Sequence, residues 1–127
     1  MQNVQLLIHG QSVNSSSAQT FERISPIDGT VASVASAATL EDVDQAIESA
    51  HRAFDIWSKL SPTERRLRLL KAADLMDQKT EQFIQIGMRE TGSTATWYGF
   101  NVHLAANMLR EAAAMTTQID GSIIPSD

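Results

Sequence analysis

Residues 39–92 read TLEDVDQAIESAHRAFDIWSKLSPTERRLRLLKAADLMDQKTEQFIQIGMRETG, and local start and stop signals divide the stretch into three helices. Thr39 offers a hydroxyl to the free N–H groups of a first turn, and Asp42 follows three residues on as an acidic partner. Val43, Ile47, Ala50, Phe54 and Trp57 then recur at steps of four, three, four and three, one apolar stripe along about five turns. The simplest role for that stripe is burial against other elements. Ser61-Pro62-Thr63-Glu64 is a stronger start, because Ser61 caps, Pro62 needs no N–H at the first helical position, and Glu64 completes a capping box. Leu69, Ala72, Ala73 and Met76 form the inward face of this second helix. Thr80 restarts a third, with Phe83, Ile84, Ile86 and Gly87 inward and Gly92 as its stop.

Working outward, Ser93 is placed to cap a fourth, long helix with the stripe Trp97, Phe100, Leu104, Met108, Ala112 and Met115, ending at Gly121 near Ile119. The tail Ser122-Ile123-Ile124-Pro125 turns extended. On the amino-terminal side the pattern is β. Val4, Leu6 and Ile8 alternate with less apolar neighbours, His9-Gly10 offers a turn, and Gln11–Val13 completes a short strand pair. Asn14-Ser15-Ser16-Ser17 reads as a hairpin tip. Phe21–Ile24 is extended and ends at Ser25-Pro26-Ile27-Asp28-Gly29, from which Val31 and Val34 lead out. The fold class is therefore α+β, short amino-terminal strands followed by about four helices. A small hairpin is a poor platform for four wide apolar stripes. At roughly 25 cal/mol per Å², one exposed stripe of large side chains forgoes several kcal/mol of burial. The missing partner is more chain, another subunit, or a rearrangement of the helices.

Composition narrows the function classes. The chain has 127 residues, 43% of them hydrophobic and 20% charged, which is soluble and globular in character. A net charge of −5 gives no positive field for nucleic acid. Arg65, Arg66, Arg68 and Lys71 sit among acidic residues as a solvated helix face. No apolar run suits a membrane span, and the start lacks the pattern of a secretory signal, so the cytoplasm is expected. With no cysteine, disulfides, thiolate zinc sites and a thiol nucleophile are excluded within these residues.

Three features invite chemistry and are better read as structure. Gly92-Ser93-Thr94 imitates a phosphate loop, but no strand precedes it and both glycine-rich fingerprints are absent; a helix stop followed by a helix start explains it. His9, His51 and His103 are scattered and lack metal-ligand spacing. Glu41, Asp42 and Asp44 cluster at a helix start, where the dipole favours carboxylates. The residues alone reveal no active site.

Five short segments in order carry a resemblance. LLIHGQSV is similar to an Ile-Asn-Gly-x-Trp-Val strand pair, and FERISPIDGTVASVA to a Phe-x-x-x-Asn-Pro-x-x-Gly-x-x-Ile segment. The Ala-x-x-Ala-Phe-x-x-Trp helix with its Arg-rich turn, RETGS in place of Glu-Thr-Gly-Lys, and GSIIPSD complete the set. Together they resemble the amino-terminal part of the NAD(P)-dependent aldehyde dehydrogenase superfamily, from about Leu6 to Asp127. The departures (His9 for Asn, Ser12 for Trp, Ser25 for Asn, Ser93 for Lys) fall at structural positions. TWYGFNVHLAANMLREAA looks most like members of the salicylaldehyde or vanillin type, which oxidise aromatic aldehydes.

The resemblance implies an α/β enzyme with a Rossmann-like cofactor domain. Residues 1–127 would be the amino-terminal part of that domain, with 122–127 entering the oligomerisation strand of a homo-oligomer and the catalytic domain outside the chain. The family reaction oxidises an aldehyde to a carboxylic acid with NAD or NADP, through a cysteine thiolate and a glutamate-activated water. Those residues would lie beyond Asp127, so this chain carries no catalytic or cofactor-binding residue and is expected to be inactive alone. Two peripheral sites carry over by position. A monovalent cation would use the main chain at Arg23 or Ile24 together with Glu90, and Asn101 and Ala105 would face the substrate tunnel, with Trp97 and Phe100 close by. Two rival readings are a non-catalytic helical interaction module and an aldehyde-dehydrogenase-like structural protein without the cysteine.

Overall fold

The computed structural model describes residues 2–125, and Met1, Ser126 and Asp127 lie outside the described residues. Helices dominate, and their starts follow the capping chemistry. α1 (Leu40–Trp57) begins at an extended Thr39, whose hydroxyl accepts from the Asp42 N–H at 3.2 Å, while the Thr39 N–H donates to Asp42 Oδ2 at 2.9 Å. α2 (Pro62–Gln78) repeats the device with Ser61 and Glu64, at 3.2 and 2.9 Å. α3 (Thr80–Thr91) follows almost without a break; Thr80 does not cap it but donates its hydroxyl to the Asp77 carbonyl at 2.7 Å. Gly92 ends α3 in the left-handed region, with φ 74°.

α4 (Ala95–Met115) corrects two expectations. Its cap is Thr94, not Ser93, because the Thr94 hydroxyl accepts from the Trp97 N–H while Ser93 is engaged by Thr91. It also stops at Met115 rather than near Gly121: the Thr116 hydroxyl donates to the Ala113 carbonyl at 2.9 Å and closes the last turn. No strand forms over residues 117–125, and the rest of the expected extended tail lies outside the described residues.

The strands fall into two sheets. β1 (Gln2–Val4) runs parallel to β5 (Val31–Ser36), which pairs antiparallel with β4 (Thr20–Ile24), in the order β1-β5-β4. β2 (Leu6–Ile8) and β3 (Gln11–Val13) form a separate hairpin. Its two-residue turn has φ 56° at His9 and 73° at Gly10, the left-handed pair such a hairpin requires. Val4 therefore does not share a strand with Leu6 and Ile8; the chain changes sheet at Gln5.

Residues 14–17 are not a hairpin tip either, since β3 and β4 belong to different sheets. Instead Ser15 is buried and donates its hydroxyl to Asp42 Oδ2 at 3.0 Å, and the Ser16 N–H donates to Asp42 Oδ1 at 3.1 Å. This serine loop fastens the start of α1 to the strands.

The core is made of small residues. Ala32, Ala73, Val102, Ala106 and Ala113 are the buried apolar side chains among the described residues. α4 packs on α2 and α3 through Val102, Ala106 and Ala113, and the stripe expected to be inward points out: Trp97, Phe100, Leu104, Met108 and Met115 are 44–64% exposed. The reason is steric, because helices that approach closely need small contact residues, and α4 is apolar on two faces. Ala72 and Phe83, expected inward, are exposed as well. α1 rests mainly on β2 and leaves Val43, Ile47, Phe54 and Trp57 exposed, so its stripe is not buried within this chain.

Candidate functional site

Glu90 stands near the end of α3, where the helix meets the three-stranded sheet. Arg23 of β4 and Ser33 of β5 are cross-strand partners, so both side chains reach the same place. The Ser33 hydroxyl donates to Glu90 Oε1 at 2.6 Å, and Arg23 Nε lies 3.5 Å from Oε2. The adjacent Arg89 donates to the Val31 carbonyl at 3.1 Å and ties the helix end to β5. Ala32, Gln85, Ile86, Arg89 and Glu90 line a cavity of about 210 Å³ there.

Arg23 is thus brought to Glu90 by its side chain, and Ile24 follows at a register shift opposite Val31. A monovalent cation needs oxygen ligands, and Glu90, the Ser33 hydroxyl and strand carbonyls are donors of that kind. The guanidinium of Arg23 brings a competing positive charge. No group of three or more His, Asp or Glu side chains suited to a metal ion occurs among the described residues.

The second predicted site lies on α4. Asn101 and Ala105 are half-buried and one turn apart, on the flank between the packed face and the exposed apolar stripe. The Asn101 amide donates to the Trp97 carbonyl at 2.8 Å, which fixes it along the helix. Trp97 and Phe100 form a tilted pair, with ring centroids 6.4 Å apart at 34°, and both rings are more than half exposed. The structure therefore groups Trp97, Phe100, Asn101, Leu104 and Ala105 along one side of α4, about 490 Å³ of crevice lying elsewhere, between Ile8, His9 and α1.

Sequence reading missed what holds α4 in place. The Tyr98 ring lies against Gly87 of α3, and its hydroxyl is 3.0 Å from the Thr91 hydroxyl. Arg110 reaches across to α2, where Nη2 donates to Asp74 Oδ1 at 2.9 Å and Asp77 Oδ2 at 2.6 Å. The signal for the second was a lone arginine in a helix otherwise rich in apolar residues, opposite two acids three residues apart.

The sequence profile of the aldehyde dehydrogenase family matches residues 13–127. The chain belongs to that family. It is 54% identical, over all 127 residues, to a vanillin dehydrogenase of Pseudomonas fluorescens, and it covers 26% of that protein. A salicylaldehyde dehydrogenase of Pseudomonas sp. (strain C18) is 46% identical over 122 residues, covering 96% of the chain and 25% of the relative. Among solved structures, a salicylaldehyde dehydrogenase from Pseudomonas putida G7 complexed with salicylaldehyde superimposes with a TM-score of 0.96 at 43% identity, over 100% of the chain and 26% of its own. The chain thus spans about a quarter of the length of the aldehyde dehydrogenases it matches. The α+β architecture of strands followed by four helices is that of the amino-terminal part of this family's fold.

Proposed function

We propose that this chain is the amino-terminal part of an enzyme that oxidises an aldehyde, of aromatic type, to its carboxylic acid with NAD or NADP. The observation that carries the reading is the 54% identity to a vanillin dehydrogenase over the whole chain. A solved relative, PnpE, was determined in complex with nicotinamide adenine dinucleotide, which supports the cofactor class. The nicotinamide would accept the hydride, and the residues present here would contribute scaffold and substrate surroundings rather than the reacting groups.

Within that reading, the chain belongs to the cofactor-binding domain. Its end from residue 122, which forms no strand through residue 125 here, would enter an oligomerisation strand on assembly of a homo-oligomer. Asn101 and Ala105, with Trp97 and Phe100, line the approach of the aldehyde; an exposed pair of tilted rings suits an aromatic substrate. A monovalent cation at Glu90 and the main chain of Arg23 or Ile24 would require the Arg23 guanidinium to swing aside. No helix among the described residues is long and apolar enough to cross a membrane, and we place the enzyme in the cytoplasm.

The test is NADH or NADPH formation with benzaldehyde, vanillin and propanal by a protein that carries this segment joined to its catalytic part. Turnover with the aromatic aldehydes is expected, and the 127-residue chain alone should give none, since it has no cysteine to attack the carbonyl. No turnover by the longer protein with any aldehyde would refute the proposal.

A further inference from the structure

We propose that Arg110 is a positioning residue for the substrate-facing side of α4, an inference that rests on the reading under Proposed function. Where α4 packs on α2 the buried apolar side chains among the described residues are small, Val102, Ala106 and Ala113 on α4 and Ala73 on α2, and alanines interlock weakly. Such a surface lets a helix slide and rotate, because it offers few knobs for the facing grooves. Two polar contacts resist that movement. One is Tyr98, whose ring sits on Gly87 and whose hydroxyl meets Thr91. The other is Arg110, whose Nη2 binds Asp74 and Asp77 on α2 together. The two pins are twelve residues apart, about 18 Å along a helix. Two separated pins fix the depth and rotation of a rigid rod; one leaves it free to pivot.

Asn101, Leu104, Ala105 and Met108 lie between the pins. Release of Arg110 would turn or tilt these side chains together, and it would also leave Asp74 and Asp77 facing each other one turn apart without a counter-charge. An exposed ion pair adds little stability on its own, so the arginine acts on placement rather than on folding. Both contacts come from the single Nη2, so a lysine ammonium, with three donors on a shorter side chain, can replace it in part.

Two experiments test this. The segment contains no cysteine. In the longer enzyme, with its remaining cysteines replaced by serine, spin labels can therefore be attached at Lys71→Cys on α2 and Met108→Cys on α4, the labelled protein being diluted into unlabelled protein. The label-to-label distance distribution should shift or broaden in Arg110→Met and partly return in Arg110→Lys; an unchanged distribution would overturn the positional role. In the longer enzyme, Arg110→Met should raise KM for benzaldehyde on the order of tenfold, with kcat and the KM for propanal nearly unchanged. Equal changes for both aldehydes, or a fall in thermal stability alone, would overturn the link to the substrate. An unsubstituted enzyme that oxidises no aldehyde would refute the proposed function, and the distance measurement would still decide whether Arg110 sets the place of α4.

Discussion

Gly87 offers a sharp test of how α3 and α4 meet. A methyl group added there would stand inside the van der Waals envelope of the Tyr98 ring. Three effects compete in Gly87→Ala. Replacing a glycine in a helix interior by alanine stabilises by about 1 kcal/mol. Overpacking a tight contact costs about 1–3 kcal/mol. Displacement of Tyr98 also gives up its hydroxyl bond to Thr91, worth about 1 kcal/mol. The balance is a net loss of about 1–3 kcal/mol by these terms, so the substitution should lower the urea midpoint. The same change in a Tyr98→Ala background should be stabilising by about 1 kcal/mol, because only the propensity remains. Chemical denaturation of the two single variants and the double variant measures both signs. A stabilised Gly87→Ala single variant, or the same sign in both backgrounds, would refute the contact.

Three further outcomes follow from the same structure. Ser61→Ala removes the cap of α2 and should cost about 1 kcal/mol, read as a lower urea midpoint, with Ser61→Thr nearly neutral. The Asp42 carboxyl is held down to about 2 from its ordinary 3.8, chiefly by the Thr39 N–H and then by Ser16, Ser15 and the Thr39 hydroxyl, against the opposing effect of burial. Because the folded value is the lower one, its stabilisation is complete above 3.8 and fades as pH falls through 2. The gap in stability between the chain and Asp42→Asn should therefore be full at neutral pH and close across that acid window in pH-dependent denaturation. Finally, the 127-residue chain should self-associate through its exposed stripes, and Phe54→Glu with Met108→Glu should reduce the association; a clean monomer across a concentration series in sedimentation would contradict this.

What the sequence revealed and what it hid divide along a physical line. The starts at Thr39 and Ser61 and the stop at Gly92 were legible because a cap involves residues three or four apart. The hairpin turn at His9-Gly10 is equally local. The face of α4 was not legible, because the helix is apolar on two sides and only its neighbours decide which one is packed. Large side chains suggested one face; the need for close approach selected the small ones on the other. The bond from Ser15 to Asp42 spans 27 residues and that from Arg110 to Asp77 spans 33, beyond any local pattern. Tyr98 on Gly87 was hidden for the same reason. Of the candidate site, the pairing of Trp97 with Phe100 could be anticipated from their spacing, whereas the approach of Arg23 and Ser33 to Glu90 depended on strand register.

The most direct test of the central claim, that this chain is the front part of an aldehyde dehydrogenase, is the intact mass of the native gene product purified from its cells. The chain weighs 13.9 kDa and covers 26% of its vanillin dehydrogenase relative, so a product roughly four times as heavy is expected, built on the same amino-terminal sequence. A native product of 13.9 kDa would contradict the claim and would turn attention to a partner for the exposed faces of α1 and α4.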